Sequence, residues 1–141
     1  MTITSEPPPP GGSGAPEPQR LRLDVAYDGG GFHGFAENAG VRTVAGDLRA
    51  ALERVLRQPV VLTCAGRTDT GVHARGQVVT LDVVGPSPDT TRLRDALNGM
   101  IGPRVVVRSV RSVPPQLDAR FSACWRRHRY LVLPADVQDP V

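Results

Sequence analysis

The order in which hydrophobic periodicity changes along this chain constrains its fold more than any other property. Residues 21–27, Leu-Arg-Leu-Asp-Val-Ala-Tyr, alternate apolar and polar with period two, the pattern of a half-buried strand. Thr43 is suited to cap a helix, and after it Val44, Leu48, Ala51, Leu52, Val55 and Leu56 recur on one helical face until Pro59 stops the run. Residues 60–64 and 77–84 read as a second and a third strand. A second helix opened by Thr91 carries Leu93, Ala96, Leu97, Met100 and Ile101 on one stripe, and Gly102 and Pro103 end it. Valine-rich residues 104–110 supply a fourth strand, and residues 130–133 are a candidate fifth. The order strand, helix, strand, strand, helix, strand predicts an α+β fold of the ferredoxin-like, split βαββαβ type. Such a fold is an antiparallel sheet with two helices on one face.

The flanks of that frame read differently. Residues 1–20 hold Pro7, Pro8, Pro9, Pro10, Pro16 and Pro18 with Gly11, Gly12 and Gly14 between them, a composition expected to stay a disordered tail. The organisation is therefore a tail over 1–20, one domain over 21–113, and a segment over 114–141 that leads onward. No apolar run approaches the roughly 18 residues of a membrane span, and the tail lacks the apolar core of a secretory signal. A cytoplasmic protein without membrane contact is expected, with Cys64 and Cys124 reduced rather than forming a disulfide framework.

All seventeen basic residues are arginine, and the formal net charge is +3. Codon composition alone can produce such a bias, so placement matters more than the total. Arg120, Arg126, Arg127 and Arg129 alternate with Phe121, Trp125, His128 and Tyr130, and no acidic residue intervenes. Guanidinium forks suit phosphates, and aromatic rings between them suit stacked bases, so this segment reads as a nucleic-acid surface.

The connection between strands two and three spends about eleven residues, Ala65 to Arg75, where hairpins usually need two to five. Long loops on a rigid sheet tend to carry function. Gly66 and Gly71 let this one bend around Asp69, Thr68 and Thr70 flank the carboxylate with hydroxyls, and Arg67 would hold it ionised. An ionised, oriented carboxylate acts as nucleophile or base. A turn-forming Asp beside glycines is the commoner explanation of a short Asp-Thr-Gly string, and the longer string decides between the two.

That longer string, Ala65-Gly66-Arg67-Thr68-Asp69-Thr70-Gly71-Val72-His73-Ala74, resembles the signature of the tRNA pseudouridine synthase A (TruA) family. Tyr27-Asp28-Gly29-Gly30-Gly31-Phe32-His33-Gly34-Phe35 is similar to the family's first strand and following loop. Asp118-Ala119-Arg120-Phe121-Ser122-Ala123-Cys124-Trp125-Arg126-Arg127-His128-Arg129-Tyr130 is similar to its segment at the hinge between two domains. The matches cover residues 21–133 and fall in the family's N-terminal half. The resemblance implies an enzyme that isomerises uridine to pseudouridine in the tRNA anticodon stem-loop, with Asp69 catalytic. It also implies Arg67 as the neighbouring basic residue, His128 at the position that stacks on the extruded uracil, and a homodimer. Thr68, His73, Arg120, Arg126, Arg127 and Tyr130 are further candidate substrate-binding residues from the loop and the arginine–aromatic segment, and no cofactor or metal is expected.

The chemistry is consistent with a single carboxylate. Breaking the bond from C1′ to uracil N1 builds positive charge on the sugar, which a carboxylate can capture or stabilise, as glycosidase carboxylates do. Whether Asp69 attacks C1′ or removes the 2′ proton stays open at this level. Cys64, His73, Cys124 and His128 match no metal-ligand spacing. His33 and His73 are expected to hold loop backbone or contact phosphate, and Gly29 to Gly31 lack the Lys-Ser/Thr ending of a phosphate-binding loop. The chain departs from the family at His128, where the family has tyrosine, and it stops at Val141, where the family's second domain would begin. The expectations attached to that end are an exposed apolar sheet face and, as an alternative function, a truncated, noncatalytic RNA-binding relic.

Overall fold

The structure is a computed structural model that describes residues 16–132 and residue 134. Residues 1–15, Leu133 and residues 135–141 lie outside it, and with them most of the expected tail and the end of the candidate fifth strand. Strand β1 (Gln19–Tyr27) begins two residues earlier than the alternation alone indicates. Helix α1 (Val44–Leu56) follows, then β2 (Thr63–Cys64), β3 (Ala74–Val83), α2 (Thr90–Ile101) and β4 (Val105–Val113). The sheet order is β2-β3-β1-β4 with every neighbour antiparallel, the ferredoxin-like arrangement expected from the element order.

Local chemistry sets the boundaries. Thr43 caps α1 as expected, its hydroxyl accepting from the Gly46 N–H at 3.1 Å. The helix stops at Leu56, before Pro59, because Arg57 takes a left-handed φ of 55° and returns its N–H to Glu53. Helix α2 starts one residue before Thr91, since the Asp89 carboxylate caps it by accepting from the Thr91 and Arg92 N–H groups. Strand β2 is shorter than residues 60–64 because side chains take the place of a ladder there. Glu53 accepts from the Val60 N–H, and the Gln58 amide pairs with both backbone groups of Val84. Strand β4 runs on to Val113 because Arg111, Ser112 and Val113 still face Arg22, Leu21 and Arg20 on β1. Residues 130–132 form no strand.

Both helices lie on one face of the sheet. Leu21, Leu23, Val25, Leu48, Leu52, Val79, Leu97, Val105 and Val107 are all fully buried between the layers, each contributing about 1.5–3 kcal/mol by leaving water. In α2 only Leu93 and Leu97 are buried, whereas Ala96 and Met100, expected on the same stripe, face solvent. Asn98 ties α2 to β4 by bonding both backbone groups of Val107.

The opposite face is not the apolar patch expected of it. It carries an Arg20–Asp82 pair at 2.6 Å and a network in which Asp24 accepts from Arg22, Ser109 and Arg111. Segment 114–119 crosses this face, where the Arg20 guanidinium donates to the Leu117 carbonyl and the Ala119 N–H donates to the buried Thr80 hydroxyl. Among the described residues, no helix is long and apolar enough to cross a membrane.

Candidate active site

The loop over residues 65–73 leaves the sheet at the end where β1 finishes and β4 begins, with Tyr27 opposite both Ala74 and Val105. A register shift between Val25 and Tyr27 inserts an extra residue in β3 at this point, the kind of local bend that re-aims side chains beside a functional loop. Asp69 sits in the exposed turn of the loop, closed by the Val72 N–H donating to the Asp69 carbonyl at 3.1 Å. Gly71, with φ of 80°, makes that turn possible.

Each flank of Asp69 is anchored. Upstream, the buried Gln77 amide donates to the Gly66 carbonyl at 2.5 Å, and its oxygen lies 3.4 Å from the Gly66 nitrogen. The Tyr27 hydroxyl meets the Thr68 hydroxyl at 2.6 Å, and the Phe35 N–H donates to the Thr68 carbonyl at 3.0 Å. Downstream, the Gly71 N–H reaches the Phe32 carbonyl, and the Gly29 N–H donates to His73 Nδ1 at 3.0 Å. The same Nδ1 lies 3.0 Å from the Asp28 carboxylate. The Gly30 N–H, with help from His73 and Arg104, holds the Asp28 carboxyl below its ordinary range.

The candidate residues fall into three groups. Thr68 is half-buried against the Tyr27 hydroxyl, whereas His73 stays exposed and meets the loop only through Nδ1, which accepts from the Gly29 N–H. Arg67 stays exposed and makes no ion pair with Asp69 among the described residues, so the structure does not show it holding the carboxylate. Arg126 donates from Nε to the Ala65 carbonyl at 2.5 Å, and its stem packs where a Cβ on Gly66 would sit, which binds the arginine-rich segment to the root of the loop.

Arg120 stacks over Phe121 and Arg127 over Trp125, while His128 and Tyr130 are exposed and make no side-chain hydrogen bond among the described residues. Beside Arg67 an open groove of about 970 Å³ runs between Phe35 and Arg49 on one side and residues 60–67, Arg120 and Arg126 on the other. That volume is within the range of ligand clefts. Cys64, at the groove wall, is an unsuitable nucleophile, since burial pushes its thiol up against the pull of Arg67 and Arg126.

Tyr27 and Gln77 were not among the residues singled out from sequence. The only local signal for Gln77 is a buried polar residue at the start of an apolar strand, and its partner lies across the loop.

Comparison with known proteins adds to this geometry. Residues 25–122 match the family described as tRNA pseudouridine synthase. The tRNA pseudouridine synthase A of Cutibacterium acnes is 53% identical over 113 residues, 79% of this chain and 40% of that protein. Proteins of the same name from Frankia casuarinae and Thermosynechococcus vestitus are 49% and 46% identical, over 82% and 79% of this chain and 42% and 39% of their own length. The chain thus spans about two fifths of the length of these curated relatives.

Proposed function

The chain belongs to the tRNA pseudouridine synthase family, and on that premise we propose that it converts uridine to pseudouridine in tRNA with Asp69 as the catalytic carboxylate. The observation that carries the reading is the exposed Asp69 turn, held on both flanks while its carboxylate is left without a protein partner among the described residues. A carboxylate committed to an ion pair would have to break it before acting on a sugar. This one faces solvent already. In the reaction the bond from C1′ to N1 breaks, the uracil turns, C5 bonds to C1′, and the C5 proton is exchanged for one on N1. The whole is an isomerisation that consumes no co-substrate. Asp69 would stabilise or capture C1′ as positive charge develops there.

The substrate arm in this reading is the anticodon stem-loop, reached by a cytoplasmic homodimer, as the resemblance to the family implies. Arg120, Arg127, His128 and Tyr130 are the residues proposed to meet RNA, with Arg67 at the groove. Residues 21–113 would form the catalytic-loop domain and 114–141 the segment leading from it. Exposed aromatic rings support this assignment: Trp125 is 74% and Tyr130 87% exposed, and such rings are available for base stacking, worth about 1–3 kcal/mol per base.

The test is tritium release from uridines labelled at C5 in the anticodon arm, comparing the chain with Asp69→Asn. Release is expected from the former and a loss of at least about 10³-fold in the latter, with tRNA affinity retained. Equal release from both would remove Asp69 from the mechanism. Binding without release from either would leave a noncatalytic RNA-binding protein.

A further inference from the structure

We propose that Tyr27 and Gln77 are positioning residues for Asp69, acting through Thr68 and Gly66; this rests on the reading of Asp69 as the catalytic carboxylate. Both side chains are buried, with Tyr27 at 5% and Gln77 at 7% exposure. Their polar ends are satisfied by the loop and by each other. The Tyr27 hydroxyl meets Thr68 Oγ1 at 2.6 Å, Gln77 Nε2 meets the Gly66 carbonyl at 2.5 Å, and Gln77 Nε2 lies 3.4 Å from the Tyr27 hydroxyl. If the loop shifted, these groups would be stranded without water or partner, so the buried polar cluster favours one loop position over all others.

The other side of the loop is fixed by steric contact and by backbone. A Cβ on Gly34, whose φ is 85°, would lie 2.9 Å from the Thr68 carbonyl, to which the neighbouring Phe35 N–H donates. Thr68 is therefore held through its hydroxyl from the sheet and through its carbonyl from the loop after β1. Asp69 is the next residue. Among the described residues its carboxylate has no partner, so its aim is inherited from the backbone that Thr68 anchors. Placement errors of about 1 Å at a reacting group can cost on the order of 10²-fold in rate.

Tyr27→Phe and Thr68→Val each delete one side of the hydroxyl pair at nearly constant volume, and Thr68→Ser keeps it. Steady-state tritium release should show kcat down roughly ten- to hundred-fold in the first two, with KM for tRNA within about two-fold. The double variant should be no worse than either single, and Thr68→Ser, which keeps the hydroxyl, should recover most of the kcat lost in Thr68→Val. Amide hydrogen exchange supplies a readout independent of turnover. The Phe35 amide, bonded to the Thr68 carbonyl, should exchange at least about ten-fold faster in Tyr27→Phe, while the Leu23 to Val79 ladder stays protected.

Unchanged Phe35 exchange overturns the clamp. So does lost turnover that tracks lost tRNA affinity, or additive effects in the double variant. If the unaltered chain shows no turnover, the functional reading fails on that ground alone, and the Phe35 exchange still decides whether the clamp holds the loop.

Discussion

Gly29 has no room for a side chain, because a Cβ there would lie 2.0 Å from the Val72 carbonyl oxygen. The obstruction is backbone on both sides and cannot rotate away, so the downstream flank of the Asp69 loop would have to move. Gly29→Ala is expected to lower stability by about 2 kcal/mol, within the usual cost of overpacking, and to depress turnover with it. Gly99, exposed in α2 with nothing near its Cβ position, is the contrast: Gly99→Ala should gain about 0.5–1 kcal/mol of helix propensity. Urea midpoints of the two variants check both, and equal shifts of either sign would show that the loop does not rest on Gly29. At this scale the sequence marked Asp69 and Gly71 as candidates, since the turn they form is local. The Tyr27 and Gln77 contacts were not legible, because Tyr27 meets Thr68 across 41 positions and Gln77 meets Tyr27 across 50. Arg67 marks the reverse case, since its spacing from Asp69 suggested a guanidinium holding the carboxylate and no such ion pair is made among the described residues.

Strands β1 and β4 are tied across the open face by Asp24. Burial raises its pKa, but the bonds from Ser109, Arg22 and Arg111 outweigh that and hold it below the ordinary carboxylate range. Asp82 is lowered as well, chiefly by the Arg20 guanidinium. A carboxylate with a depressed folded-state pKa contributes stability that is complete above the unfolded value near 4, and the contribution is lost as pH falls through the folded value. The urea midpoint should therefore decline as pH drops below about 4, and Asp24→Asn should flatten that decline while lowering the plateau near neutrality. A parallel decline in the variant would exclude Asp24 as its source. The same elements show where periodicity is a sufficient guide. It found the four strands and both helices, because burying one face enforces the pattern. It missed the boundaries at Asp89, Gln58 and Val113, where side-chain caps or cross-strand partners decide.

Over the whole molecule, the arginines divide between structure and surface. Arg20 and Arg22 lace the sheet, Arg126 grips the loop root, and Arg127 stacks on an exposed Trp125. Arg127→Ala should then weaken tRNA binding and reduce the slope of log affinity against log salt by about 1, measured by filter binding across salt concentrations. An unaltered slope would take Arg127 off the RNA surface. Composition could not have separated these roles, since every arginine looks alike until its partners are placed.

The pairing order has a consequence in time. β1 lies between β3 and β4, and its partners arrive late: Leu23 waits for Val79 and for Val110. An emerging chain has no sheet to hang the Asp69 turn on until β3 has been made, since the turn is anchored from β1, from β3 and from the loop after β1. Folds of this mixed kind depend on distant strand pairing, which places their folding rates between those of helical bundles and of all-β sandwiches. The turn thus acquires its shape only after β1 and β3 have met, and a chain that has not paired them holds its carboxylate on a slack thread. Nascent or locally melted copies would present Asp69 without a fixed aim, so the chemistry proposed for it would depend on pairing strands that lie far apart in the chain.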